Sequence, residues 1–242
     1  MLELRDLVKH YRVGGGEAIR AVDGVSMHIA AGEFVVLYGP SGSGKTTLLD
    51  MIAGLRRPDS GTVIVDGNDV FEMSRKAAHD YRLNDLGIIG QPHNLIPGAK
   101  AIQNASLKLL LTSVRDARPR VEPLLAELGL GDRLQHRTEQ LSMGERQRVL
   151  IALALSTAPK LVLADEPTGS LDTQRTRDVL ALLRNLCAER QMALLLATHD
   201  PEAAGFADQV HELRDGQLRR HAPDQAPEAS GFEPREARRS SG

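Results

Sequence analysis

The run Gly39-Pro40-Ser41-Gly42-Ser43-Gly44-Lys45-Thr46 constrains this chain more than any other stretch. It matches G-x-x-x-x-G-K-[ST] at every fixed position. The residues before it, Phe34-Val35-Val36-Leu37-Tyr38, are apolar, β-branched and aromatic, which predicts a buried strand. The residues after it, Thr46 to Ala53, have helical apolar spacing and stop at Gly54. Strand, glycine loop and helix together aim backbone N–H groups and the positive helix end at a polyphosphate. Gly39, Pro40, Ser41, Gly42, Ser43, Gly44, Lys45, Thr46 and Thr47 are therefore the expected phosphate cradle. Lys45 is expected to reach the β- and γ-phosphates, and Thr46 to ligate Mg²⁺. The plainer alternative, a glycine-rich turn that binds nothing, leaves the Lys-Thr pair and its context unexplained.

At 242 residues the expectation is one domain, or one domain with a subdomain. A net charge of −2 gives no electrostatic case for nucleic acid as a partner. The single cysteine, Cys187, excludes an internal disulfide; with Leu180 and Leu183 it reads as a core position on a helix. The first residues carry no apolar stretch of signal-peptide length, and no run approaches the ~18 apolar residues of a membrane span. The chain is expected to be soluble by itself, with any membrane role exercised through a partner.

The first 30 residues alternate apolar and polar in places, which predicts an antiparallel sheet broken at Gly14-Gly15-Gly16. Thr62–Val65 reads as a strand ending in a turn, and Leu86–Gly90 as a short buried strand. From Pro97 to Leu134 the pattern is helical, with breaks at Pro119 and Gly129-Leu130-Gly131. Met143 to Ala158 reads as a helix ended by Pro159. Leu161–Ala164 and Ala193–Ala197 read as parallel strands buried on both faces, joined through a helix from Thr173 to Arg190. From His221 onward the composition turns to Pro, Ala, Ser, Glu and Arg, which predicts a disordered tail.

The strand Leu161-Val162-Leu163-Ala164 ends in Asp165-Glu166. Ligands of parallel sheets lie beyond the carboxyl ends of the strands. Asp165 is then expected near the Mg²⁺ held by Thr46, and Glu166 as the group that polarises an attacking water. The other reading, two acids at the start of the next helix, draws on the helix dipole alone. His199 follows the strand Ala193–Ala197 and is placed to contact the γ-phosphate or hold Glu166. A histidine at a strand end can equally be a satisfied turn residue.

Leu141-Ser142-Met143-Gly144-Glu145-Arg146-Gln147-Arg148-Val149 opens a helix, with Ser142 and Glu145 in capping-box spacing. In this chain the stretch resembles the signature sequence of the ATP-binding-cassette (ABC) ATPases. Tyr11, GPSGSGKT, Gln91, LSMGE, LVLADEP, Ser170-Leu171-Asp172 and His199 stand in that family's order up to about Arg220. QPHNLIP and LADEPTGSLD are similar to the macrolide-exporter and lipoprotein-releasing branch, which includes the cell-division ATPase FtsE.

The resemblance implies a P-loop α/β fold. It has a mixed core sheet, an N-terminal antiparallel β portion and an inserted helical subdomain at about 92–158. The cassette occupies 1–220 and the tail 221–242. ATP and Mg²⁺ are the implied cofactors. Tyr11 would stack on adenine. Gln91 would touch Mg²⁺ and the lytic water. Ser142 and Gly144 would contact the γ-phosphate bound to a second copy, and Asp172 would face that copy's phosphate loop. The working unit is then a head-to-tail homodimer. Its implied role is to power permease subunits on a separate chain from the cytoplasmic face of the membrane, in an exporter or lipoprotein-release system.

The alternative function is mechanotransmission through a membrane partner to a cell-envelope enzyme. A soluble ABC ATPase of DNA repair or translation would need insertions or a second cassette. A GTPase or small kinase would leave the signature stretch unexplained.

Two departures stand out. The family has glycine where this chain has Met143, and glutamine where it has Glu145. A longer side chain and an added negative charge near a triphosphate lead to an expectation of slower turnover than in a glycine-bearing relative. The segment Gln91–Leu111 also departs from the branch, with Gly98–Leu107 occupying the expected permease-contact region.

Overall fold

The computed structural model describes residues 1–12, 18–90, 94–112, 114–169 and 171–221. Ten strands and six α-helices follow in the order β1 (Leu2–Arg12), β2 (Ala18–Ile29), β3 (Phe34–Tyr38), α1 (Lys45–Ile52), β4 (Ser60–Val65), β5 (Asn68–Asp69), α2 (Arg75–Asp80), β6 (Leu86–Ile89), α3 (Ala101–Ser106), α4 (Arg118–Glu127), α5 (Met143–Leu155), β7 (Leu161–Asp165), α6 (Thr173–Arg190), β8 (Ala193–Thr198), β9 (Gln209–Arg214) and β10 (Gln217–His221). Two sheets form. One is antiparallel, in the order β2-β1-β4-β5. The other runs β10-β9-β3-β8-β7-β6 and is parallel except for the β9–β10 hairpin.

Strand alternation divides the core between two layers. Phe34 and Val36 of β3 face the helices, together with Val162, Ala164, Leu194 and Leu196. Val35 and Leu37 face the antiparallel sheet and α1, together with Leu161, Leu163, Ala193, Leu195 and Ala197. Covering both faces is why these strands are apolar without interruption. On α6 the buried positions Thr176, Val179, Leu180, Leu183, Leu186 and Cys187 form one stripe at helical spacing. Cys187 donates to Met192 O at 2.9 Å, and burial pushes its thiol up to about 11, as suits a core residue.

Three expectations change. The Pro97–Leu134 region is not one helix broken at Pro119. It holds α3, α4 and tight turns at Leu109–Leu111 and Gly131–Arg133, and Pro119 lies in the first turn of α4. A missing N–H costs nothing there, because the first N–H groups of a helix have no partner within it. The strand at Leu86–Ile89 is the last in its sheet, so Ile88 is 50% exposed rather than buried. Helix α5 ends at Leu155, where Ser156 Oγ donates back to Leu153 O. The glycine turn 14–16 and the tail lie outside the described residues, except that His221 completes β10.

Two polar ties hold the helical layer. Buried Asn104 accepts from Ile96 N at 2.8 Å and donates to Thr138 Oγ1 at 3.2 Å. Lys108 donates to Leu86 O and to Thr157 Oγ1, joining the helical layer to the sheet edge. Burial pulls its ammonium down to about 8.

His211 on β9 is 7% exposed, and its Nδ1 has no partner among the described residues. Burial first, then Arg220, lowers its pKa from 6.5 to about 4. A histidine kept neutral in the fold but free to protonate when unfolded gives stability that is complete above about pH 6.5 and falls as pH drops toward 4. Replacing it, His211→Gln, is expected to flatten the acid side of the stability curve between those values. Unfolding midpoints at pH 7 and pH 5 test this; an equal drop in both proteins contradicts it.

Candidate functional site

The parallel register brings the carboxyl ends of three strands to one level. Tyr38 pairs with Thr198, and Asp165 with Ala197. The phosphate loop leaves β3 at this level and feeds α1. Gly44 has φ 105, and a Cβ there would fall 1.9 Å from Ala21 O. Gly39 is also closely approached by backbone, with a Cβ falling 2.4 Å from Leu213 O. Gly42 has φ 80 with open space around it, so conformation alone calls for glycine there. Lys45 is 6% exposed and donates to Gly39 O at 2.6 Å and Pro40 O at 3.2 Å. Ser43 Oγ is buried with no partner among the described residues.

The two acids sit on opposite sides of a chemical divide. Thr46 Oγ1 donates to Asp165 Oδ2 at 2.8 Å, which places two hard oxygen ligands side by side. Among the described residues no cluster of three or more His, Cys, Asp or Glu side chains could hold a metal by itself. A cation at this pair would need oxygens from a phosphate, and that donor set fits Mg²⁺. Glu166 takes φ 48, a left-handed conformation that costs a non-glycine residue about 1–2 kcal/mol. Its Oε2 accepts from Thr198 Oγ1 at 3.1 Å, its Oε1 lies 3.0 Å from His199 Nδ1, and Lys45 Nζ is 3.6 Å from Oε1. The carboxylate is thus held from two sides beside the lysine.

Gly44, Lys45, Thr46, Asp165 and Glu166 line a cleft of about 400 Å³ with Tyr11, Ile19, Ala21, Ser41, Gly42 and Thr47; Gly39, Pro40, Ser43 and His199 are not part of that lining, and His199 meets it through Glu166. Tyr11 OH lies 3.5 Å from Thr47 Oγ1, and the Arg56 guanidinium lies 5.6 Å from its ring centroid. Ile19 and Ala21 were not recognisable as site residues in the sequence. Ile19 is 53% exposed and pairs across the sheet with Tyr11, a placement that depends on strand register and is not visible in the sequence.

Ser142, Gly144 and Asp172 do not line this cleft. Ser142 and Asp172 cap α5 and α6. Ser142 Oγ accepts from Glu145 N, which leaves its own proton free to donate. A Cβ on Gly144 would meet only Arg175 Cδ, at 3.6 Å, so nothing among the described residues demands glycine there. Asp172 accepts from Arg175 N at 2.9 Å, which is the helix-capping role by itself. Gln91 and Ser170 lie outside the described residues. Away from this cleft, His79 is exposed and His136 half-buried.

Comparison with known proteins agrees with the geometry. Residues 22–169 match the family model described as ABC transporter. The lipoprotein-releasing system ATP-binding protein LolD 2 of Caulobacter vibrioides is 42% identical over 220 residues, covering 90% of this chain and 96% of that protein. The macrolide export ATP-binding/permease protein MacB of Rhodopirellula baltica is 43% identical over 222 residues, covering 89% of this chain and 32% of that protein. A solved post-hydrolysis dimer of the ATP-binding cassette MJ0796, bound to ADP and Pi, superposes with a TM-score of 0.80 at 34% identity, covering 91% of this chain and 98% of that one.

The two loop glycines separate conformation from contact. Gly42→Ala is expected to destabilise by about 1–2 kcal/mol, the cost of a left-handed alanine. Gly44→Ala is expected to cost more, because its Cβ also strikes Ala21 O. Urea unfolding midpoints decide; equal losses would mean that the backbone contact at Gly44 is relaxed without cost.

Proposed function

The chain belongs to the family of ABC transporter ATP-binding domains and is an ATPase, and on that premise we propose that two copies close head to tail around two ATP molecules to drive permease subunits on a separate chain. The observation that carries this reading is the Glu166 carboxylate, clamped by Thr198 and His199 beside Lys45 and next to the Thr46–Asp165 pair. Residues 1–220 form the cassette, with 92–158 as its helical subdomain.

Each residue then takes one role. Tyr11 offers adenine a ring face, with Ile19 beside it. Gly39 to Thr47 wrap the phosphates with backbone N–H groups, and Lys45 leaves its carbonyl partners for the β- and γ-phosphates. Thr46 and Asp165, with Gln91, would hold Mg²⁺, which when bound neutralises phosphate charge. Glu166 accepts the proton of the attacking water, and His199 keeps that carboxylate aimed. From the other copy, the Ser142 hydroxyl and the N–H of Gly144 meet the γ-phosphate, and Asp172 faces the phosphate loop. Gly144 carries no intramolecular burden, as expected where an incoming phosphate needs the space. Cleavage removes the phosphate that both copies share, so the closed state loses its bridge and opens.

The permease-contact segment Gly98–Leu107 supports the partner assignment. Its Ala99, Ile102 and Leu107 line a groove of about 540 Å³ beside Leu110, which is 68% exposed. Among the described residues no helix is long and apolar enough to cross a membrane, so on this reading membrane attachment comes through that partner. The likeness to LolD favours export or lipoprotein release as the work performed.

Glu166→Gln is expected to keep ATP binding, trap an ATP-dependent dimer and cut turnover by on the order of 10²–10⁴-fold. Adding Gly144→Ala to that variant is expected to abolish the dimer while the folded monomer still binds ATP. Light scattering with ATP and Mg²⁺ checks both; a monomeric Glu166→Gln protein contradicts the sandwich. Separately, purification from native membranes is expected to recover a permease. Recovery with a wall-hydrolase complex would instead support mechanotransmission, and recovery with ribosomes or DNA would replace the reading.

A further inference from the structure

The signature stretch carries a carboxylate at Glu145, next to the serine proposed to meet a triphosphate. The structure shows what becomes of that charge. Glu145 Oε2 accepts from Ser142 N at 2.8 Å, and Oε1 accepts from Arg133 Nε at 3.0 Å. Each carboxylate oxygen is therefore engaged behind the serine. The capping N–H of Ser142 first, and then Arg133, hold the Glu145 carboxyl below the usual carboxylate range, so the negative charge persists at neutral pH.

Arg133 comes from a separate element, twelve residues upstream. It ends the tight turn Gly131–Arg133, and its N–H bonds to Leu130 O at 2.9 Å. Leu130 is fully buried in the helical core, so the turn that carries the guanidinium is anchored. The Arg133 side chain is 45% exposed and that of Glu145 23% exposed, which places the pair at the edge of the signature surface. Met143 and Ser142, also exposed, stand on that same surface.

We propose that Arg133 is a positioning residue for ATP-dependent closure. It holds Glu145 against the back of Ser142 and cancels a charge that would otherwise repel the partner copy's γ-phosphate. This inference rests on the sandwich reading above. It also revises the expectation drawn from Glu145: the added charge arrives with its own counter-ion, leaving Met143 as the departure that bears directly on close approach. Without Arg133 the cap remains, because the Ser142 N–H and Glu145 oxygen still meet. What changes is the sign of the local field, felt across a short gap by a multiply charged phosphate.

The test is a cycle in the Glu166→Gln background, read as the ATP concentration that gives half-maximal dimer by light scattering. Arg133→Ala is expected to raise that concentration roughly three- to tenfold at low ionic strength, with the penalty shrinking in high salt. A chain carrying Arg133→Ala together with Glu145→Gln is expected to dimerise within roughly twofold of the parent, since both charges of the pair are gone and the cap survives. Arg133→Lys, which keeps the charge without the planar fork, is expected to fall between. A purely structural Arg133 would leave the double variant as impaired as Arg133→Ala alone, with no salt dependence, and that result overturns the inference while leaving the sandwich intact. If the Glu166→Gln parent itself fails to dimerise, the sandwich falls and this inference falls with it. Unfolding midpoints of each variant show whether a loss comes from misfolding, and Arg133→Gln, which keeps most of the apolar stem, replaces Arg133→Ala should the latter unfold.

Discussion

The constraint on which the rest depends is the shared level at which β3, β7 and β8 end. Parallel pairing brings Tyr38, Asp165 and Thr198 together, so the phosphate loop, the acid pair and the strand-end histidine emerge side by side. Nothing in those three segments is near another in sequence. Lys45 and Glu166 are separated by half of the chain, yet lie 3.6 Å apart. The sheet can impose this because its strands are buried on both faces, which leaves the register no freedom to slip without exposing apolar side chains.

The site keeps a conformational cost where it needs aim. Glu166 adopts a left-handed backbone that glutamate disfavours, and its carboxylate is then met by Thr198 and His199. The surrounding strands over-determine that position: Glu166 N bonds to Ala197 O at 2.9 Å. On the proposed dimer face the arrangement differs. Ser142 and Asp172 cap their own helices, Asp172 also pairs with the Arg175 guanidinium at 3.3 Å, and a Cβ on Gly144 would meet Arg175 Cδ at 3.6 Å. A protomer thus brings its acids and lysine together at the phosphate loop, and on the proposed reading its signature stretch would serve a second copy.

Much of this was readable before any fold was known. The phosphate loop, the acid pair, the capping box of Ser142 and Glu145, and the helix Thr173–Arg190 all follow from local pattern, because a loop glycine, a cap and an apolar stripe are set by neighbours within a few residues. The helical region between Pro97 and Leu134 was less legible. Its pieces are short, and a proline reads as a break whether it ends a helix or begins one. Ile88 looked buried because periodicity does not show which strand lies at a sheet edge.

By itself, then, the sequence determined the fold class, the nucleotide loop and the identity of the acids. These rest on residue types whose conformational and chemical roles are local. Only the tertiary structure decided that Arg133 answers Glu145, that Ile19 stands beside Tyr11, and that His211 stays neutral inside the second sheet. Each of those depends on distance between segments remote in sequence, and electrostatic and packing energies act through space, with no memory of chain order.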